Sequence, residues 1–184
     1  IPGRVWVIVL PALGEKLRDL FTGCLKEGIF PKLWKIPKLV LFQKEGRSVD
    51  SASAYRPICL LDEIGKLFER IIADRINKHV NNCGPNLSQN QYGFRKGRST
   101  VDAILRVKDI TTSATSKGRK VLAISIDIVN AFNSLPWRTI RKALVYHRVP
   151  PYLQRVLHSY LSDRCIIYVD KNGVVQVKNV ECGV

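Results

Sequence analysis

Residues 121–128 constrain the fold of this chain more than any other segment. Their side chains are apolar on both faces of an extended backbone, a pattern typical of a strand buried in the middle of a sheet. We therefore predict a central, buried strand here. One carboxylate, Asp127, interrupts the run near its end, and burying it is costly unless it is paired, hydrogen-bonded or bound to a metal. Asp127 is thus either the cap of the following turn or a metal ligand.

The overall charge points to an anionic partner. The chain has 184 residues, and 30 Lys and Arg against 15 Asp and Glu give a formal net charge of +15. Hydrophobic residues make up 46% of the chain, which excludes global disorder. Nucleic acid is the first candidate partner and a membrane surface the second. No apolar run approaches the roughly 20 residues that cross a bilayer, so we expect no membrane span.

The cysteines predict neither a disulfide framework nor a zinc site. They are odd in number, widely spaced and include no Cys-x-x-Cys pair. His79 and Cys83 stand four residues apart, but the pattern offers them no further ligand. We interpret the cysteines as free intracellular thiols. They are Cys24, Cys59, Cys83, Cys165 and Cys182.

Helical and strand-like segments mix along the chain, which predicts an α+β fold. A first helix is expected at 11–27, with a stop at Gly28, and a second from the cap Asp62 to 81–85. A third should begin at a Ser99–Asp102 capping box and end before a polar loop at 111–120. Two more are expected from Pro136 through 144 and from Pro150 through 161. Strands are expected at 38–42 and 55–61, forming a hairpin with a long tip, and at 165–169 and 174–180, forming a hairpin around Asn172-Gly173.

Four segments together resemble reverse transcriptases. Residues 125–133 (Ser-Ile-Asp-Ile-Val-Asn-Ala-Phe-Asn) resemble the first palm motif of that family, and Asn-Ala-Phe-Asn-Ser followed by Pro-Trp is similar to non-LTR (LINE-type) retrotransposons, particularly the insect elements that insert into ribosomal DNA. Residues 41–46 with 55–58 are similar to the fingers hairpin, 65–70 to the helix after it, and 91–100 to the next family block. In family order, these segments cover about residues 31–184.

The resemblance implies the fingers and partial palm of a right-hand polymerase, with helices packed on a mostly antiparallel sheet. Residues 1–120 would form a fingers-like region with some palm helices, and residues 121–184 a partial palm. The chain contains no Met, and it stops directly after a strand-like run. We therefore expect a fragment that lacks the other two catalytic carboxylates, the thumb and the endonuclease of the family.

The resemblance also implies roles for individual residues. Asp127 would be catalytic and would bind two Mg²⁺ ions, or Mn²⁺, together with the backbone carbonyl of Ile128. Contacts with the nucleotide would come from Lys44, Arg56, Asn130, Ala131 and Phe132, whose ring would exclude a 2′-hydroxyl. Contacts with template or primer would come from Gln91, Gly93, Arg95, Lys96, Arg98 and Ser99.

Each of these residues also has a structural interpretation. Without the motif, Phe132 would be interpreted as a core residue. Arg56 and Lys44 would be interpreted as cations on the surface. The basic segment 95–98 reads as a solvated loop, with Ser99 acting only as a helix cap. The motif favours the functional role for Phe132 and Arg56. For Lys44, it leaves both the functional and the structural interpretation open.

The implied function is part of an RNA-directed DNA polymerase that copies retrotransposon RNA by two-metal nucleotidyl transfer. Its expected partners are template RNA, primer DNA, deoxynucleoside triphosphates and the remaining palm, thumb and endonuclease regions of the parent polyprotein. The active parent element would work in the nucleus after ribonucleoprotein assembly in the cytoplasm. Two alternatives remain: a catalytically dead copy that only binds nucleic acid, and a related intron-type maturase.

Overall fold

The computed structural model describes residues 3–46, 48–51 and 54–183. The helices are α1 (Gly3–Glu27), a 3-10 turn (Lys32–Lys35), α2 (Glu63–Asn82), α3 (Thr100–Thr115), α4 (Ala131–Ser134), α5 (Trp137–Tyr146) and α6 (Pro151–Leu161). The strands are β1 (Lys38–Gln43), β2 (Tyr55–Leu60), β3 (Cys165–Val169) and β4 (Val175–Asn179). Among the described helices, none combines the length and apolar character that crossing a membrane requires.

The strands form one four-stranded sheet in the order β2-β1-β3-β4. Both predicted hairpins are confirmed, since β1 pairs antiparallel with β2 and β3 antiparallel with β4. A parallel contact between Lys38 and Ile167 joins the two hairpins. Pro57 lies in β2, which is an edge strand of the sheet. Proline has no N–H to donate, and an edge strand tolerates this because one of its sides has no neighbouring strand to bond. The sheet is mostly antiparallel, and the α+β class is confirmed.

An aromatic cluster forms the centre of the hydrophobic core. The ring of Phe68 on α2 lies 5.2 Å from the rings of both Phe21 and Phe30, measured between centroids. Val156 and Leu153 of α6 are almost completely buried beside this cluster. The core thus joins helices from both sides of residue 120, and the proposed division of the chain at that residue stays a prediction. Trp34 and Trp137 pack against the core.

The predicted helix ends are confirmed where a side chain or a glycine specifies them. The Asp62 carboxylate accepts a 2.8 Å hydrogen bond from the Ile64 N–H. Ser99 and Asp102 form the reciprocal capping box, in which each side chain accepts from the other residue's N–H. Gly28 follows α1 with a φ of +71°, a conformation that glycine adopts without steric cost.

Two helix boundaries differ from the prediction. Helix α1 begins at Gly3 rather than near residue 11 and contains Pro11 in its interior. Helix α3 continues to Thr115, so the prediction of a polar loop from residue 111 is wrong for its first half. The hydroxyls of Thr111 and Thr115 donate to the carbonyls of Val107 and Thr111, one turn earlier. These local bonds let an exposed, threonine-containing turn remain helical.

The prediction of a central, buried strand at residues 121–128 is wrong for this structure. The segment belongs to no strand, and every one of its residues is exposed, including Leu122 (85%) and Ile126 (86%). A strand is stabilised by hydrogen bonds to its neighbours and by packing on its faces. The four described strands pair with one another, and none pairs with this segment. Residues 121–128 therefore form an exposed apolar surface that pairs with no strand in the described part of the chain.

Lys35 is a buried cation at the C-terminus of α6. Its side chain is only 5% exposed, and its ammonium donates to the carbonyls of Ser159 (2.5 Å) and Ser162 (2.6 Å). Burial lowers the pKa of Lys35, while the nearby Asp163 raises it in part. The ammonium satisfies carbonyls that the helix end leaves free, and its charge suits the negative end of the helix dipole.

We expect Lys35→Met to destabilise the fold by about 1–3 kcal/mol, because it leaves two carbonyl groups without a donor while keeping the aliphatic bulk. Urea unfolding followed by circular dichroism measures the change. Lys32→Met, on the same turn but exposed, is the matched control and should change stability by less than about 0.5 kcal/mol. Equal effects of the two substitutions would contradict a structural role for the Lys35 ammonium.

Candidate functional site

The predicted palm motif ends in a tight turn that presents its side chains to solvent. Asn130 adopts a left-handed φ of 53° and caps α4, which begins at Ala131. The Asn130 carbonyl accepts hydrogen bonds from the Asn133 N–H (2.9 Å), the Ser134 N–H (3.0 Å) and the Ser134 hydroxyl (2.9 Å). Residues 130–134 are called the motif loop below. Three bonds to one carbonyl fix the backbone that carries Phe132.

Gly183 packs against the motif loop from the far end of the chain. Its φ is +87°, and a Cβ there would lie 3.0 Å from the carbonyl oxygens of Phe132 and Asn133. The Gly183 N–H donates to the Leu135 carbonyl, and its own carbonyl accepts from the Trp137 indole, both at 2.9 Å. Sequence reasoning missed this contact. The only available signal was a glycine that follows a strand-like run.

Phe132 is a surface residue. Its side chain is 59% exposed, and its ring meets the ring of Phe94 edge to face, with centroids 5.8 Å apart and planes at 80°. The interpretation of Phe132 as a core residue therefore does not apply to the described structure. The contact also places the predicted block 91–100 beside the motif loop.

The two arginines of that block hold their own loop together. The Arg95 guanidinium donates to the carbonyl of Ser88 (2.7 Å) and to the side-chain oxygen of Asn86 (3.3 Å). The Arg98 guanidinium donates to Gln89 (2.9 Å) and lies over the Tyr92 ring, 5.4 Å from its centroid. Both guanidinium groups thus make some of their contacts within residues 86–98 and stabilise this loop. Their predicted contacts with template stay predictions.

The other predicted template residues are all exposed but differ in their contacts. Gln91 and Gly93 are exposed in the same loop, and the Gln91 amide donates to the Gly93 carbonyl (3.4 Å). Lys96 is exposed and makes no ion pair or hydrogen bond with another described residue. The Ser99 hydroxyl and the Ser99 N–H each donate a 2.7 Å hydrogen bond to the Asp102 carboxylate, and these bonds lower the pKa of that carboxyl. Ser99 therefore acts as a helix cap, which was its structural interpretation.

The β1–β2 hairpin places two predicted nucleotide contacts on one face. Phe42 pairs with Arg56, and the Lys44 N–H donates to the Ala54 carbonyl (2.7 Å), which continues the register. Since side chains alternate along a strand, Phe42, Lys44 and Arg56 lie on the same side of the hairpin. Arg56 is exposed and Lys44 half-buried. Two cations on one exposed face suit an anionic group such as a phosphate.

A cavity of about 340 Å³ connects the sheet to the motif loop. Its walls combine β1 and β2 residues with the loop and with the segment around residue 183. They include Leu39, Pro57, Cys59, Asn133, Cys182 and Gly183. Pro57 and Cys59 bring the predicted fingers hairpin next to the predicted palm motif, but they line the cavity from the face of the hairpin opposite to Arg56, since side chains alternate along a strand.

Asp127 and Ile128 precede the motif loop and are exposed. Reverse transcriptases as a family use divalent metal ions. Among the described residues, no three His, Cys, Asp or Glu side chains are placed to hold a metal. One carboxylate and one carbonyl do not make a two-ion centre, which needs several oxygen ligands. The described residues alone therefore do not fit the pair of ions.

Comparison with known proteins gives one consistent answer. The profile of the family described as "Reverse transcriptase (RNA-dependent DNA polymerase)" matches residues 42–184. The chain is 32% identical to "Probable RNA-directed DNA polymerase from transposon BS" of Drosophila melanogaster, over 90% of this chain and 18% of that protein. It is also 32% identical to "Retrovirus-related Pol polyprotein from type-1 retrotransposable element R1" of Bradysia coprophila, over 96% of this chain and 17% of that protein.

A third relative, "RNA-directed DNA polymerase from mobile element jockey" of Drosophila melanogaster, is 30% identical over 90% of this chain and 18% of its own length. The chain thus spans less than a fifth of the curated relatives it matches. These relatives are insect non-LTR elements, as the motif resemblance predicts. The family match covers most of the chain, and it includes β2, the block 91–100 and the motif loop. The chain belongs to the reverse transcriptase (RNA-dependent DNA polymerase) family.

Proposed function

We propose that this chain is the fingers and the first part of the palm of an RNA-directed DNA polymerase that copies retrotransposon RNA. The observation that carries the proposal is the convergence on the motif loop. Phe94 contacts it through Phe132, Gly183 packs on its carbonyls, and the cavity joins it to the β1–β2 hairpin. Three segments that are far apart in sequence surround the one loop whose sequence matches the palm motif.

In this proposal, the hairpin face and the motif loop hold the nucleotide. Arg56, with its planar guanidinium fork, and Lys44 would contact the triphosphate. The backbone N–H groups of Asn130 and Ala131, at the turn into α4, would face the same phosphates. The Phe132 ring would lie against the sugar and leave no room for a 2′-hydroxyl.

Asp127 would supply one carboxylate to the two-ion centre, and Ile128 its carbonyl. The remaining ligands would come from other parts of the polyprotein, which would also provide the thumb and the endonuclease. The exposed apolar residues 121–128 support the proposal that other parts of the polyprotein complete the site, because a contiguous apolar surface rarely stays exposed to solvent. Template RNA and primer DNA would contact Gln91, Gly93, Arg95, Lys96, Arg98 and Ser99. Lys96 is the cation of this set that makes no hydrogen bond or ion pair with another described residue. We place the active element in the nucleus, after ribonucleoprotein assembly in the cytoplasm.

The 184-residue chain itself should bind primer–template duplex but incorporate no nucleotide. Binding follows from the net charge of +15, and the single carboxylate of the site explains the inactivity. Each phosphate contact should lower the logarithm of the binding constant by about 0.9 per logarithmic unit of salt. A salt titration of binding and a primer-extension assay with Mg²⁺, both on monodisperse protein, measure the two properties.

Lys96→Ala should reduce the salt slope by about one contact. Lys171→Ala, which removes the same charge from the turn between β3 and β4, should leave the slope unchanged and is the matched control. Sustained primer extension by this chain alone would show that the site is misplaced. Equal salt slopes for both variants and the unsubstituted chain would show that Lys96 does not contact the phosphates of the duplex.

The reading frame of the parent element separates the proposal from its alternatives. A Pro-Gln-Gly turn and a pair of adjacent aspartates downstream of Val184 would support the polymerase. An early stop would instead support a dead copy that only binds nucleic acid. Downstream sequence typical of intron-encoded proteins would favour the maturase.

A further inference from the structure

Phe94 is an unusual residue for its position. Its φ is 55°, in the left-handed region that bulky side chains rarely adopt, and its ring is 94% exposed. Both features are unfavourable for a phenylalanine in an isolated loop. Such strain persists only where the surrounding structure imposes it, and it concentrates at functional sites.

The loop around Phe94 is held on both sides. Arg95, the next residue, donates to the Ser88 carbonyl and the Asn86 side chain. On the other flank, Tyr92 lies under the Arg98 guanidinium. These contacts hold residues on both sides of Phe94, whose ring meets the motif loop at Phe132.

The backbone and the ring of Phe132 are fixed by different groups. Asn130 and Gly183 hold the backbone, through the three hydrogen bonds to the Asn130 carbonyl and the close approach of Gly183. The ring is 59% exposed, and among the described aromatic residues only Phe94 contacts it. An edge-to-face contact restricts where the partner ring can lie.

We infer that Phe94 is a positioning residue for nucleotide selection, which orients the Phe132 ring against the sugar of the incoming nucleotide. The inference rests on the proposed function, in which Phe132 excludes a 2′-hydroxyl. Phe94 itself does not need to touch the nucleotide. Without the Phe94 ring, Phe132 can take other rotamers, and the space for a 2′-hydroxyl opens part of the time.

The test uses a polymerase of the relatives' length that contains this chain, and compares kcat/KM for ribo- and deoxyribonucleotides. Phe94→Gly removes the ring and suits the left-handed backbone, so it should not impair folding. We expect discrimination to fall about two- to tenfold, the range that corresponds to the coupling of an aromatic pair. The kcat for deoxyribonucleotides should stay within about twofold, and Phe94→Tyr should retain discrimination.

The decisive measurement is the double variant. Because Phe94 acts through Phe132, Phe94→Gly should have no further effect in a Phe132→Ala background. Tyr146→Ala removes another exposed aromatic side chain, which has an edge-to-face partner in His147, and should change nothing. Independent effects of the two phenylalanines, or unchanged discrimination in Phe94→Gly when Phe132→Ala loses it, would overturn the inference alone. Unchanged discrimination in Phe132→Ala would overturn the proposed role of Phe132 and the inference together.

A second measurement does not depend on activity. With 4-fluorophenylalanine at position 132 of the 184-residue chain, the ¹⁹F resonance should shift when Phe94→Gly removes the ring current of the neighbouring ring. It should not shift in Tyr146→Ala. An unchanged resonance in Phe94→Gly would show that the two rings do not meet in solution and would overturn the inference.

Discussion

Asp127→Asn should abolish nucleotide incorporation by a polymerase of the relatives' length that contains this chain. Asparagine keeps the size and shape of the side chain but removes the negative charge that a divalent ion requires. Losing such a ligand removes several kcal/mol of charge stabilisation in the transition state, which lowers the rate by at least a few hundredfold. Single-turnover primer extension measures the loss.

Folding and nucleic-acid binding should survive this substitution. Asp127 is exposed and makes no hydrogen bond or ion pair with another described residue, so its replacement should change stability by less than about 0.5 kcal/mol. Asp109→Asn, at an exposed aspartate of α3, is the matched control and should leave incorporation unchanged. Incorporation by Asp127→Asn near the level of the unsubstituted enzyme would return Asp127 to the role of a turn residue.

Phe132→Ala should raise the use of ribonucleotides relative to deoxyribonucleotides in the same enzyme. Removing the ring opens the space that a 2′-hydroxyl needs, and a change of this size in a pocket alters selection by on the order of tenfold or more. Competition between the two nucleotide types during primer extension measures the ratio. The kcat/KM for deoxyribonucleotides should change less than the ratio does.

The exposure of Phe132 makes this result interpretable. A core phenylalanine truncated to alanine costs about 3–5 kcal/mol, whereas a ring that is 59% exposed should cost far less. Thermal unfolding of the 184-residue chain separates the two cases. A large loss of stability with unchanged nucleotide selection would contradict the proposed role and indicate that the ring is buried in the 184-residue chain.

Local features of the fold were predictable from the sequence. The caps at Asp62 and Ser99, the stop at Gly28 and the turn of the β3–β4 hairpin depend on residues that are neighbours along the chain. Their side chains supply the hydrogen bonds or backbone conformations that end one element and begin the next. The family could also be identified, because its motifs keep their residue types and their order.

The candidate site was predictable only in part. The motif named Phe132 and Arg56, and the alternation of strand residues explains why Arg56 and Lys44 share a face. The contact of Phe94 with Phe132 and the approach of Gly183 join residues 38 and 51 positions apart, and no local pattern specifies such distances. Likewise, the sequence did not show that Arg95 and Arg98 hold their own loop.

The sequence by itself determined several helix ends, the two hairpins and the family of this protein, because those follow from short-range bonds and from residue types in order. Only the tertiary structure decided which apolar segments are buried. Residues 121–128 have the pattern of a core strand but lie exposed, whereas Lys35 is a cation and lies buried. Burial depends on whether a neighbouring element offers a partner. The carbonyls of Ser159 and Ser162, at the C-terminal end of α6, receive the Lys35 ammonium, whereas no described strand pairs with residues 121–128.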